Sequence, residues 1–225
     1  MKSVDLWPLT LRPTPSQHQS WFDLLSEEEQ CRYHRLVKPV DRERFLSARG
    51  QLRLILSHYV PQPPGRLLLA TLTHGKPYLP DWPDLQFNLS HSQDQALCAV
   101  TWGSPLGVDL EVHRPCPTLK LAQRCFHPNE TLWFCQQPRA AQTQAFFQLW
   151  TVREAWSKAL GVGLGGWSDW EVDPLTWRIG GTLGAKPHHI QCLNGDNSRS
   201  AALAVVDTSA VTTVWCTLSS EELRN

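Results

Sequence analysis

Between Gly107 and Val112 the chain reads Gly-Val-Asp-Leu-Glu-Val, an order that suits an extended backbone. Successive strand side chains point to opposite faces. Asp109 and Glu111 therefore share one face while Val108, Leu110 and Val112 share the other. The apolar face docks on a core, leaving two acids side by side on the face expected to be exposed. Further along, Trp150-Thr151-Val152-Arg153-Glu154-Ala155-Trp156-Ser157-Lys158 reads as a helix. It offers a third acid, Glu154, with Lys158 one turn beyond. Two adjacent carboxylates plus one from a separate element are what a hard divalent cation requires.

At 225 residues the chain is long enough to bury a substantial core without a disulfide or structural metal. With 41% apolar and 19% charged residues it reads as globular rather than disordered. The 21 basic and 21 acidic residues cancel, so no basic excess points to nucleic acid. No apolar run approaches a membrane span, and Met1 to Asp5 lacks the apolar core of a signal peptide, so a cytoplasmic location is expected. The seven cysteines are odd in number and form no C-x-x-C, which suits free thiols in a reducing compartment. His113, Cys116, Cys125 and His127 match no standard zinc spacing and read better as scattered core and surface residues.

Helical and strand signals alternate along the chain. Val4 to Leu11 is a strand candidate. Ser26 and Glu29 form a capping-box pattern that starts a helix expected to reach Lys38. Asp41 opens a second helix to about His58, with Phe45, Leu46, Ala48, Leu52, Ile55 and Leu56 at helical spacing. A proline-rich loop follows, with a strand near Leu67 to Leu72. Phe87 to Ser90 and Ala96 to Trp102 read as a hairpin joined through His91, Ser92, Gln93 and Asp94.

Gly103-Ser104-Pro105 is the candidate boundary between an N-terminal half, 1–104, and a C-terminal half, 105–225. The second half shows the acidic strand, helical patterns at 117–124, 128–136 and 143–160, and a glycine cluster (Gly161, Gly163, Gly165, Gly166). Strand candidates then follow at Trp177 to Ile179, Ile190 to Leu193, Ala201 to Val206 and Val211 to Leu218. Weak echoes link the halves: Phe45 to Arg49 with Leu149 to Arg153, and Ala96 to Val100 with Ala202 to Val206. The fold class expected is α+β. Two similar halves, related by a pseudo-twofold, each set a long helix on a small, mainly antiparallel sheet, with a ligand cleft between them.

Taken singly, the chemical groups have plain alternatives. A charged strand face often does no more than face water. Glu154 and Lys158 are also spaced as an i,i+4 surface pair, although Phe146, Phe147, Trp150 and Trp156 mark their helix as mostly buried. His91 at a turn and Lys76 in Gly75-Lys76-Pro77-Tyr78 say little alone.

In order, however, Gly75-Lys76-Pro77, Asn88-Leu89-Ser90-His91-Ser92, Gly107-Val108-Asp109-Leu110-Glu111 and Trp150 to Lys158 resemble the successive signatures of the 4′-phosphopantetheinyl transferases. The likeness is to the larger, surfactin-synthetase-activating type, and Arg44 to Arg49 fits its upstream pattern. The resemblance covers residues from about 40 to 165. It implies transfer of 4′-phosphopantetheine from coenzyme A to a serine of an apo acyl or peptidyl carrier protein, releasing 3′,5′-ADP. It implies Mg²⁺ held by Asp109, Glu111 and Glu154, with Glu154 as general base and Lys158 and His91 as further catalytic groups. It implies coenzyme A contacts from Arg44, Arg49, Lys76, Ser90, His91 and Lys158, and a monomer with no membrane or nucleic-acid partner.

Glu130 matches a loop glutamate of that family, but is equally a first-turn helix acid. The family usually has lysine directly before the helix glutamate, where this chain has Arg153, and that puts the side chain's role in doubt. Arg32, Arg35 and Lys38 form a modest basic patch for an acidic carrier. Trp167-Ser168-Asp169-Trp170 is expected to pack the core. The competing functions are another Mg²⁺-dependent enzyme acting on nucleotides without a protein acceptor, and a non-catalytic binding scaffold.

Overall fold

Thr14 and Ser26 fix the first two helices. Each stands extended and accepts from the backbone N–H three residues on, while Gln17 and Glu29 reach back to the cap N–H. In this computed structural model, which describes residues 1–163, 170–193 and 197–223, they open α1 (Pro15–Leu24) and α2 (Glu27–Arg35). α2 stops short of Lys38. Leu36 turns extended, and Lys38 becomes the cap of α3 (Pro39–Ser57), whose first residue is a proline.

The first half begins on β1 (Lys2–Thr10) and, after the helices, adds a short pair, β2 (Ala70–Thr71) and β3 (Pro77–Tyr78). The strand expected over Leu67 to Leu72 is thus cut to two residues near its end. β4 (Leu85–Ser92) and β5 (Gln95–Trp102) then form the hairpin. Its turn is only Gln93 and Asp94, with Gln93 at φ 55°, so His91 and Ser92 belong to the strand rather than the turn.

The second half repeats this order. β6 (Leu106–Val112) is followed by α4 (Thr118–Cys125), α5 (Pro128–Gln136) and α6 (Gln142–Leu160). Another short pair comes next, β7 (Trp170–Val172) and β8 (Ile179–Gly181), then β9 (His189–Cys192) and β10 (Arg199–Val205). The strand expected at Trp177 shifts to either side of it, because Trp177 itself sits in a turn with φ 57°. Gly161 closes α6 at φ 69°. Gly165, Gly166 and Trp167 to Asp169 lie outside the described residues.

The repeating unit therefore opens on a strand: β1 corresponds to β6, α3 to α6 and β5 to β10. The sheets agree, with order β1-β5-β4 in one and β6-β10-β9 in the other, all antiparallel. One strand departs from the symmetry. β11 (Val211–Trp215) pairs with β1, in parallel, at the edge of the first sheet. A cut at 104/105 leaves β11 on the other side from the sheet it completes.

Three cores set the layers. Leu52, Ile55 and Leu56 of α3 pack on Phe87, Cys98 and Val100. Between the sheets lie Leu6, Leu97, Ala99, Val108, Leu110 and Leu203. α6 packs on the far side with Ala202 and Ala204. The order is helix, sheet, sheet, helix. Each fully buried Leu or Val contributes about 1.5–3 kcal/mol, so the inter-sheet core joins the halves firmly. Gly107 is the closest contact of the outer layer. A Cβ there would stand 2.1 Å from the Ala155 carbonyl oxygen and 2.5 Å from the Ala159 nitrogen.

Candidate active site

β4 and β6 are the edges of their two sheets, and they meet through side chains. The Val108 N–H donates to Asn88 Oδ1 (2.9 Å) and the Leu110 N–H to Ser90 Oγ (3.3 Å). Asn88 and Ser90 thus stand in for a backbone ladder and satisfy buried N–H groups that would otherwise be costly. Strand alternation then divides the Asn88-to-Ser92 segment. Asn88, Ser90 and Ser92 turn to β6, while Leu89 and His91 turn to the α3 side.

On the β6 side, Ser90 donates to Asp109 Oδ1 (2.6 Å) and Ser92 to Glu111 Oε2 (2.7 Å). Lys158 reaches in from α6 to Asp109 Oδ1 (2.5 Å) and Ser90 Oγ (3.0 Å). The Glu154–Lys158 surface pair gives way to this longer-range contact. Arg114, just beyond β6, donates to Glu111 Oε2 (2.7 Å). Asp109 and Glu111 do share a face as the alternation predicts, but that face is not open. Asp109 is only 4% exposed, because α6 covers it at the close approach over Gly107. Burial raises its pKa, against the opposing pull of Lys158 and Ser90. Its second oxygen, Oδ2, is buried without a hydrogen-bond partner.

Glu154 is half-buried. Burial lifts its pKa to about 7; Lys158 opposes the shift, and the nearby charges of Asp109 and Glu111 reinforce it. A carboxyl poised near neutrality beside two other acids is equipped to take a proton. Among the described residues, no three acidic, histidine or cysteine side chains converge closely enough to form a ready-made metal cage.

On the α3 side lies an open cleft of about 500 Å³, lined by Arg32, Arg44, Phe45, Arg49 and His91. Arg44 is held by Asp94 of the hairpin turn (2.9 Å), which Arg12 also grips. Arg32 and Arg49 flank the Phe45 ring at 5.3 and 5.9 Å. Burial lowers the Arg49 pKa; Glu29 pulls the other way, and Arg32 and Arg53 push further down.

Lys76 stands apart from this group. Gly75 and Pro77 line the cleft, but the Lys76 ammonium turns to the carbonyls of Leu106 (2.7 Å) and Lys158 (3.1 Å). It caps the end of α6 and ties that helix to β6. Burial without a carboxylate partner brings its pKa down to about 8.

Glu130 and Arg153 also lie away from the acids. Glu130 is the reciprocal residue of the α5 capping box and accepts from the His127 and Val172 N–H groups. Arg153 is wholly buried, with Nη1 at 2.5 and 2.6 Å from the two Glu130 oxygens and its guanidinium 4.0 Å from the Trp170 ring centre. The first half has a counterpart, Arg53 of α3 against the capping-box Glu29 of α2 (2.7 Å). The pair clamps a short helix to a long one in each half. The helix-acid reading of Glu130 is therefore the structural one, and Arg153 points away from Asp109.

Five residues to which the sequence assigns no individual role complete this region: Asn88, Ser92, Asp94, Gly107 and Arg114. Three had a local signal. Asn88, Ser90 and Ser92 alternate as a polar strand face, and a glycine inside a strand marks close approach of another backbone. Arg114 and Asp94 had none, since their partners are fixed only by tertiary structure.

Comparison with known proteins identifies the family. A family model described as the 4′-phosphopantetheinyl transferase superfamily matches residues 105–214, and one described as 4′-phosphopantetheinyl transferase, N-terminal, matches residues 10–102. The chain is 41% identical over 165 residues to the 4′-phosphopantetheinyl transferase HetI of Nostoc sp., covering 72% of this chain and 70% of that protein. It is 29% identical over 148 residues to 4′-phosphopantetheinyl transferase Sfp of Bacillus subtilis, covering 66% and 65%. It is 33% identical over 140 residues to 4′-phosphopantetheinyl transferase gsp of Aneurinibacillus migulanus, covering 62% and 57%.

Proposed function

This chain belongs to the 4′-phosphopantetheinyl transferases of the larger Sfp type, and we propose that it moves the phosphopantetheine arm of coenzyme A onto a serine of an apo acyl or peptidyl carrier protein. The observation that carries the proposal is the division of β4. One face serves an arginine-lined cleft suited to phosphates, the other an acid cluster with a lysine, a layout that supports the binding of a diphosphate ligand beside this strand.

In this proposal Arg44, Arg49 and His91 bind the phosphates of the nucleotide end from the first half. An incoming anion relieves the crowding of Arg49 against Arg32 and Arg53. Ser90 lies between the two groups, donating to Asp109 and accepting from Lys158. Lys76 acts on the site from behind, through the end of α6.

The donor set suits Mg²⁺: Asp109, with an unpartnered buried oxygen, and Glu111 and Glu154 beside it supply hard oxygen ligands. Magnesium ordinarily completes its shell with substrate phosphates and water, so a closed cage of side chains is not required. When bound, the ion would polarise the diphosphate and ease departure of the leaving group. Lys158, a compact single charge, neutralises a phosphate oxygen as the serine oxygen attacks the phosphorus that bears pantetheine. The bond from that phosphorus to the bridging oxygen breaks and 3′,5′-ADP leaves. Glu154 receives the serine proton.

The division into functional halves at 1–104 and 105–225, a cytoplasmic monomer and a reaction without membrane or nucleic acid complete the proposal. Among the described residues no helix is long and apolar enough to cross a membrane. The test mixes the protein with apo carrier, coenzyme A and Mg²⁺ and weighs the carrier. A mass gain of one phosphopantetheine is expected. Folded protein that leaves several carriers unchanged refutes the proposal, and nucleotide turnover with no carrier present would favour the phosphoryl enzyme instead.

A further inference from the structure

The two strand acids are dressed alike. Asp109 Oδ1 takes one hydroxyl, Ser90 (2.6 Å), and one cation, Lys158 (2.5 Å). Glu111 Oε2 takes one hydroxyl, Ser92 (2.7 Å), and one cation, Arg114 (2.7 Å). The acid pair is thus already neutralised by protein cations, charge for charge. A carboxylate oxygen bonded to a guanidinium is a poorer ligand for a metal, and each protein cation repels an incoming one.

The two cations differ in how they are held. Lys158 is anchored to Asp109, Ser90 and the Val108 carbonyl. Arg114 sits at the open end of β6, with its side chain half exposed. Its guanidinium also stands 5.8 Å from the ring centre of Phe147, which is stacked on His113 at 5.0 Å and 12°. Arg114 thus touches the edge of an aromatic cluster while it pairs with Glu111.

We propose that Arg114 is a placeholder counter-ion on Glu111, which weakens metal binding to the protein alone and makes the divalent ion and the diphosphate of coenzyme A bind as a mutually dependent pair. The inference rests on the reading that Asp109 and Glu111 hold the metal. A divalent ion arriving alone meets both protein cations: Asp109, Glu111 and Glu154 then carry three negative charges against four positive ones from the ion, Lys158 and Arg114. Arriving with a diphosphate, it brings the compensating negative charge. Linkage is reciprocal, so each ligand strengthens the other by the same factor. Arg114 is a positioning residue in this scheme and touches neither reacting atom.

The test titrates the full chain with Mn²⁺ and follows free Mn²⁺ by electron paramagnetic resonance, with and without coenzyme A. Wild-type protein is expected to bind Mn²⁺ more tightly when coenzyme A is present; no such coupling overturns the proposal without any variant. Arg114→Gln should bind Mn²⁺ alone about 10- to 100-fold more tightly, the effect of removing a unit charge roughly 6 Å from a divalent ion at an effective dielectric of about 40–80. Its coupling to coenzyme A should shrink, and Arg114→Lys should stay close to wild type. Unchanged or weaker Mn²⁺ binding by folded Arg114→Gln refutes the placeholder. Glu111→Gln separates the two layers of argument. If it binds Mn²⁺ like wild type, the metal site itself is wrong and the placeholder falls with it. If it loses Mn²⁺ while Arg114→Gln is unchanged, the site stands and only the placeholder falls.

Discussion

Replacing Gly107 by alanine perturbs fold and chemistry through one atom. The new Cβ would stand 2.1 Å from the Ala155 carbonyl oxygen, 2.5 Å from the Ala159 nitrogen and 2.8 Å from the Lys158 Cβ. The first two contacts are backbone, so no rotamer change relieves them. Either β6 or α6 must retreat by roughly 1 Å, and overpacking of this kind costs about 1–3 kcal/mol. For a chain of this size each kcal/mol lowers Tm by about 2–4 °C, giving a fall of roughly 2–12 °C. The same retreat draws Lys158 and Glu154 back from Asp109 and Glu111. A displacement near 1 Å at a reacting centre costs about a hundredfold in rate. Thermal melting by circular dichroism reads the first effect and mass spectrometry of the carrier the second. Wild-type Tm together with wild-type transfer would refute the claim that the helix is seated on this glycine. A lowered Tm with unchanged rate per folded molecule would break the link from packing to chemistry.

Arg153→Met removes one partner of a buried ion pair and should cost about 3–5 kcal/mol, measured by urea unfolding, with transfer per folded molecule nearly retained; a loss of rate at unchanged stability would mean that Arg153 acts on the substrate. Arg44→Ala should raise KM for coenzyme A by about 10- to 100-fold, the worth of a charge-assisted hydrogen bond, and lower kcat much less; an equal fall in kcat would move Arg44 to the reacting end. Burial raises Glu154 to about 7 from an ordinary 4.5, so the folded chain holds this proton more tightly than the unfolded one. Its contribution to stability is full below 4.5 and is lost as pH rises through 7. Metal-free wild type should therefore lose Tm across that window relative to Glu154→Gln, and parallel Tm profiles would show that Glu154 is not perturbed.

The parts of this molecule that were legible in the sequence are those governed by nearest neighbours along the chain. The Ser26–Glu29 box, the alternation of Asp109 and Glu111, and the run of α6 all depend on spacing within one element, and all appear where expected. What failed was set by contacts between elements. His91 moved from turn to strand because the hairpin closes on Gln93 and Asp94 without a glycine. Asp109 moved from exposed to buried because α6 descends on Gly107, a contact made across half the domain. Lys76 was placed by motif order, yet motif order cannot give direction, and its ammonium turns to the end of α6. Arg153 shows the reverse case. Its neighbour Glu154 suggested chemistry, while the 3.6-residue turn of the helix sends the two side chains to different faces.

The parallel pairing of β11 with β1 has a consequence for how the chain is made. β1 has both of its neighbours only after the whole of the second half, as far as β11, has been made. Until Val211–Trp215 arrives, the outer rim of β1 offers an unpaired ladder to any extended segment nearby. The two halves look like independent copies, but a strand that follows the second half closes the sheet of the first. A fragment carrying residues 1–104 alone would be an incomplete sheet, prone to find a substitute strand in another molecule.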